Sequence, residues 1–228
     1  MRMNPDMIQG DLAQILSGMP ILVPQCKFAI TQPKVKDVVA FGEDRFFDSV
    51  QLFVRLDDLM EPVKQGNPRL AMLSGFHVLM VVLEQQINMR TDVKDFFALI
   101  LPQYEIEFSS GSINLKIPEE TGIKGQLNPM NFEYFQDTLK TLFVPKGHGE
   151  EEEDYNPAND KAAEIAAKLK AGNQKRREMK AKENPNQSVF GSYTSILSVG
   201  LGIDINVLYN YTVFQLFDSF RSEEHTSE

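Results

Sequence analysis

The chain has 228 residues, 42% of them hydrophobic and 10% aromatic, with 23 Lys and Arg against 32 Asp and Glu for a formal charge of −9. That composition supports a packed core and excludes wholesale disorder, and at ~100–200 residues per domain it allows one domain with appendages or two small ones. The lone Cys26 excludes a disulfide framework and any multi-cysteine metal or redox centre, and fits a reducing compartment. Met1–Gly10 has one Arg and no apolar run, unlike a secretory leader. The longest apolar run, Leu70–Leu83, carries His77 and falls short of the ~20 residues a membrane span needs. The expectation is a soluble intracellular protein that does not touch a membrane.

Ile8, Leu12, Ile15 and Leu16 recur at helical spacing, and Gly18-Met19-Pro20 ends that helix. Ile21–Thr31 is β-rich but interrupted by Pro24, which predicts a short or edge strand. Pro33–Phe41 is ambiguous between helix and strand. Asp44–Met60 places Phe46, Val50, Phe53 and Val54 on one helical face, with Pro62, Gly66 and Pro68 punctuating a turn after it. Asn67-Pro68 has the form of an N-cap followed by a first-turn proline, predicting an apolar helix to about Ile87. Thr91 then caps a short helix with Val93, Phe96, Phe97 and Ile100 inward.

The clearest strand signal is Tyr104–Phe108 and Ile113–Ile117 around Ser109-Ser-Gly-Ser112. Pairing Phe108 with Ile113, Ile106 with Leu115 and Tyr104 with Ile117 puts six apolar side chains on one face, and sets Glu105 opposite Lys116 on the other. A lone hairpin is marginal, so it needs helices beneath it, with Ile21–Thr31 as a possible third strand. Asn128-Pro129 opens the next helix, striped by Phe132, Phe135, Leu139, Leu142 and Phe143 and stopped by Pro145.

Composition then changes abruptly. Glu150–Asp154 is five like charges in a row, which resist packing and read as a solvated linker. The organisation expected is a mixed α/β domain over 1–145, an acidic flexible linker over 146–157, and a helical region over 158–220. That region opens on a Lys- and Ala-rich helix from Asn156-Pro157 to about Lys182, with only Ile165, Leu169 and Met179 as large apolar members. Asn184-Pro185 breaks it. Val189–Val199 and Ile205–Phe220 follow, joined at Gly200-Leu-Gly202 with Asp204 as N-cap. The fold class expected is α+β, predominantly helical, with a small antiparallel hairpin or sheet and a separate C-terminal helical segment.

Arg221–Glu228 reads as eight codons of a common sequencing adapter, AGA TCG GAA GAG CAC ACG TCT GAA. The expectation is that 221–228 is an artefact and that the natural gene is cut inside its last helix. His225 is then no site candidate.

Nothing in the chain supplies a catalytic motif. There is no phosphate loop, dinucleotide fingerprint, zinc-protease helix or nucleophile elbow. His77 sits in an apolar helix and reads as a hydrogen-bonded core residue. His148 is a loop residue, and Cys26 reads as a small buried hydrophobe. No metal, cofactor or enzymatic activity is expected. The basic residues from Lys161 to Lys182 are the nucleic-acid candidate, but Glu150–Asn184 holds eight basic and nine acidic residues without interleaved aromatics, which favours a self-complementary solvated helix over a phosphate-binding arm.

The C-terminal region carries a resemblance. Lys161-Ala-Ala-Glu-Ile-Ala-Ala-Lys-Leu-Lys170, Lys180-Ala-Lys-Glu-Asn-Pro185 and the apolar stretch Tyr193–Asp218 resemble the tail assembly chaperones and baseplate-hub assembly proteins of tailed phages and prophages of Gram-positive bacteria. Ile113–Ile117 followed by Asn131-Phe-Glu-Tyr-Phe135 is similar to the hairpin-then-helix of the same proteins. The resemblance covers about half of the chain and fixes no binding residue. It implies a non-enzymatic assembly role in the cytoplasm of the infected host, with tail or baseplate proteins as partners. The alternatives are a structural component kept in the virion, and a nucleic-acid-binding accessory protein. Independently, the apolar surface of Val189–Phe220 is too broad for its own helices to cover. That makes Leu208, Tyr211, Phe214 and Phe217 the partner-binding candidates, with exposed members unless the N-terminal domain folds over them.

Overall fold

In chain order the helices and strands are α1 (Leu12–Leu16), β1 (Ile21–Val23), β2 (Phe28–Ile30), α2 (Val35–Phe41), α3 (Glu43–Val54), α4 (Leu56–Gly66), α5 (Gly75–Gln85), α6 (Ile87–Ile100), β3 (Glu105–Ser109), β4 (Ser112–Lys116), β5 (Gly125–Leu127) and α7 (Phe132–Phe143), then α8 (Val189–Leu201), α9 (Ile205–Leu208) and α10 (Val213–Thr226). The structure is a computed structural model that describes residues 12–144 and 188–226. The acidic linker, the Lys- and Ala-rich helix with its basic residues, His148 and the first turns of the N-terminal helix lie outside the described residues. What is described is an α+β fold, mostly helical, with two small antiparallel sheets and the C-terminal helices as separate elements.

The hairpin has the expected register. Phe108 pairs with Ile113, Ile106 with Leu115 and Glu105 with Lys116. Ser109 pairs with Ser112 as well, which tightens the turn to Ser110-Gly111, and Gly111 takes the left-handed φ of 76° that such a turn requires. Lys116 forms its ion pair diagonally with Glu107, at 2.6 Å.

The third strand is not Ile21–Thr31. It is β5, which pairs with β4 from Ile113↔Leu127 to Leu115↔Gly125. Ile21–Thr31 folds on itself instead: Pro24–Lys27 makes a turn, and β1 pairs with β2. Pro24 lacks the donor a continuous strand would need, so it starts the turn, where Cys26 N–H donates to the Val23 carbonyl at 3.0 Å. That turn docks on β5 through Gln126 N–H to the Cys26 carbonyl, also 3.0 Å. Gly125 permits the approach, because a Cβ there would meet the Cys26 and Lys27 carbonyl oxygens at 3.1 Å.

Phenylalanine dominates the core. Phe53 of α3 meets Phe96 and Phe97 of α6 at ring separations of 5.8 and 5.3 Å, and Phe135 of α7 at 5.5 Å edge-on. Phe28 of β2 reaches Phe135 at 6.0 Å, so the small hairpin closes one side of the same cluster. All five residues of the α7 stripe are buried, as are Val93, Phe96, Phe97 and Ile100 of α6.

Four helix boundaries differ from expectation, for physical reasons. Asp44–Met60 is two helices broken at Arg55, and the second runs through Pro62 to Gly66. Asn67-Pro68 opens no helix: the Asn67 side chain accepts from Arg69 N–H at 3.1 Å in a local turn, and α5 starts at Gly75 behind a Ser74 cap. Asn128 repeats this, accepting from Met130 N–H at 2.9 Å three residues before Asn131, which holds the N-cap position of α7 without a side-chain capping bond. In both places the asparagine satisfies a turn before the helix. Thr91 caps nothing; it lies inside α6 with its hydroxyl donated back to the Ile87 carbonyl at 3.0 Å.

The last helix also divides, at Tyr209–Thr212. Their backbone is taken by α2: Val35 N–H donates to the Tyr211 carbonyl at 2.9 Å and Lys36 N–H to the Tyr209 carbonyl at 3.0 Å. Thr212 and Gln215 then form a reciprocal cap for α10, Thr212 N–H to Gln215 Oε1 at 2.8 Å and Gln215 N–H to Thr212 Oγ1 at 3.2 Å. Asp204 caps α9 and Gly202 ends α8 in the left-handed region, both at the expected positions.

Candidate partner-binding surface

α8 buries Phe190, Thr194 and Leu197, an i, i+4, i+7 stripe, and Tyr193 beside it packs on Phe217 and Phe220 at 5.6 and 4.4 Å. Its first turn is held to α3 by Glu43, whose carboxylate accepts from Ser188 Oγ at 2.5 Å and from Val189 N–H at 2.9 Å. Phe190 stands between Phe47 of α3, at 5.5 Å, and Phe217 of α10, at 6.1 Å. The C-terminal helices thus dock on the N-terminal helices through the same apolar core.

This docking corrects the expected exposure of the four candidate residues. Leu208 is fully buried, Phe217 is 9% exposed, and Tyr211 and Phe214 are half-buried. Folding of the N-terminal helices over α9 and α10 covers them, so they belong to the core and its margin. Besides Val189 at the start of α8, the exposed aliphatic residues of these helices are close in sequence: Ile196, Val199 and Leu201 at the end of α8, then Ile205 and Val207 on α9. Val199 is 87% exposed, and the other four are between 38% and 48%. Five large aliphatic side chains left uncovered within one helix–turn–helix form a candidate docking surface. Sequence reasoning missed it by treating Ile205–Phe220 as one helix. The Thr212-Val-Phe-Gln215 capping signature that divides it was there to be read.

Chemistry-bearing side chains are placed as follows. Ser74 Oγ lies 2.9 Å from His77 Nδ1 and 3.4 Å from His77 N–H, which is N-cap geometry, while the Asp57 carboxylate accepts from Gly75 N–H at 3.0 Å and is not in contact with the imidazole. The three therefore do not form a relay. Among the described residues no group of three or more His, Cys, Asp or Glu stands close enough to share a metal ion. No helix among them is long and apolar enough to cross a membrane.

Cys26 is buried, and its thiol faces the Asn131 carbonyl at 3.5 Å. Burial pushes the thiol from 9.0 up to about 12. The folded chain therefore keeps a proton that the unfolded chain releases above pH 9.0. The group's contribution to stability is complete below that pH and is lost as pH rises toward about 12. A disulfide reagent at pH 8 is expected to leave native Cys26 unmodified and to label it at once in denaturant. Rapid labelling of the native chain would contradict the burial.

Comparison with family models, curated proteins and solved structures gives no match.

Proposed function

We propose that this chain is a non-enzymatic assembly factor of a tailed bacteriophage. In this reading it binds tail or baseplate subunits in the host cytoplasm and keeps them from associating prematurely. One observation supports it most directly: the uncovered aliphatic surface of Ile196, Val199, Leu201, Ile205 and Val207. Leaving such side chains in water forgoes ~25 cal/mol per Å² of apolar area, so covering them with a partner is favourable. A formal charge of −9 keeps the free chain soluble while that surface stays open. The resemblance of the C-terminal region to tail assembly chaperones supplies the class of partner.

The test is co-expression with tail and baseplate subunits. Wild type is expected to hold a subunit in the soluble fraction, and a double variant Val199→Asp, Val207→Asp is expected to lose it while keeping its own circular dichroism and melting temperature. Retention of the subunit by the folded double variant would place the contact elsewhere. Mass spectrometry of purified virions separates a released factor from a structural component, since only the second remains in the particle.

A further inference from the structure

We propose that a cleft bounded by the end of α5, the start of α6 and the β3–β4 turn binds a carboxylate that carries a neighbouring amide N–H and a short apolar side chain, the chemistry of an acylated amino acid or of a polypeptide C-terminus. The cleft encloses about 210 Å³. That is below the ~300 Å³ at which drug-sized sites begin, so its ligand is small. Its apolar floor is Met80 and Leu83, both buried in α5.

The cationic donor of the lining is Arg90. Arg90 is half-buried, and its guanidinium lies over the Phe108 ring at 5.0 Å. Lys94, one turn further along α6, has its ammonium 6.0 Å from the same ring. A guanidinium over an aromatic face is held there by cation–π attraction and can still donate through its N–H groups. Arg45, Arg55 and Arg221 each pair with a carboxylate of the chain. The Arg90 side chain has no such acceptor among the described residues. Its fork is therefore set for a carboxylate from outside, which it would hold through two parallel hydrogen bonds. Ser109 Oγ accepts from Asn114 Nδ2 at 2.7 Å, which leaves its O–H to donate, and Ser110 adds a second hydroxyl to the lining.

Glu84 closes the α5 end, also without an ion-pair partner among the described residues. A bare anion would be repelled there. A carboxylate with an amide N–H beside it turns Glu84 into an acceptor, and its apolar side chain meets the floor. Along the lining Arg90 and Glu84 balance in charge, and the Lys94 ammonium, outside the lining but 6.0 Å from the Phe108 ring, adds positive potential nearby.

The test is an NMR titration of the full chain with N-acetyl-leucine, with N-acetyl-leucinamide, and with a tetrapeptide ending in leucine. The acid and the peptide are expected to shift the amides of Phe108–Gly111 saturably. The uncharged amide should bind ~10-fold more weakly or worse, the loss expected for a charge-assisted pair. Arg90→Gln should weaken the acid by a similar factor, and Arg90→Lys, which keeps charge without the fork, by less. Tighter binding of the peptide identifies a chain terminus as the natural ligand, and equal binding identifies a free acylated acid; both uphold the site. No saturable shift, equal affinity for the amide, or full affinity in a folded Arg90→Gln chain would overturn it. None of these residues belongs to α8 or α9, so failure here leaves the assembly reading standing, and failure of the co-expression test leaves this site standing.

Discussion

Replacing Phe53 by alanine should destabilise the chain by about 3–5 kcal/mol, the range for deleting a buried aromatic side chain. The position is extreme because Phe53 is fully buried and touches four other rings: Phe96, Phe97, Phe132 and Phe135. Those rings come from α6 and α7, so one truncation opens a void where α3, α6 and α7 meet. The backbone cannot easily close it, since the Phe53 carbonyl accepts from Gln136 Nε2 at 2.7 Å and ties α3 to α7 at that point. Domains of this size are stable by only about 5–15 kcal/mol, so the variant stands close to unfolding. Urea denaturation followed by far-ultraviolet circular dichroism measures the loss. Phe53→Leu, which keeps most of the volume, should lose markedly less, and equal losses for the two would mean that volume is not what matters there.

The parts of the fold that were legible in the sequence are those where local pattern and long-range packing ask for the same thing. In β3–β4 the alternation, the turn residues and the opposed charges specify one register, and that register is observed. In α7 the stripe from Phe132 to Phe143 can be buried only one way round. The failures are places where one local signal has two physical uses. Asn-Pro can cap a helix or make a turn, and at Asn67 and Asn128 the turn wins. Gly75 explains the first case in part: α5 begins where a backbone without Cβ can lie against Asp57, a contact set by α4 and invisible to any window of the sequence.

The candidate surface was legible only as a quantity. The sequence contains more apolar side chains after Val189 than α8, α9 and α10 can cover among themselves. It does not say which of them the N-terminal helices take. That choice is made by hydrogen bonds from α2 to the carbonyls of Tyr209 and Tyr211, and it rotates Leu208 inward and Val207 outward.

Those two neighbours give the sharpest expected contrast in the molecule. Leu208→Asp should cost about 4 kcal/mol or more, combining the loss of a buried leucine with the cost of a carboxylate that has no partner in an apolar site. Val207→Asp, one residue away at 48% exposure, should change stability by less than about 0.5 kcal/mol. The Leu208 variant should also lose protection at Val35 and Lys36, whose N–H groups donate to Tyr211 and Tyr209, and at Thr31, whose N–H donates to the Ile100 carbonyl at 2.8 Å. Loss at all three follows because Leu208 belongs to the same contiguous core as Phe97 and Ile100. Hydrogen exchange reads the outcome directly. If Val35 and Lys36 exchange quickly while Thr31 stays protected, the C-terminal helices unfold alone and the core is divided where α2 meets α9. If all three accelerate together, the helices that carry the exposed aliphatic surface are part of the folded body and present that surface rigidly to a partner.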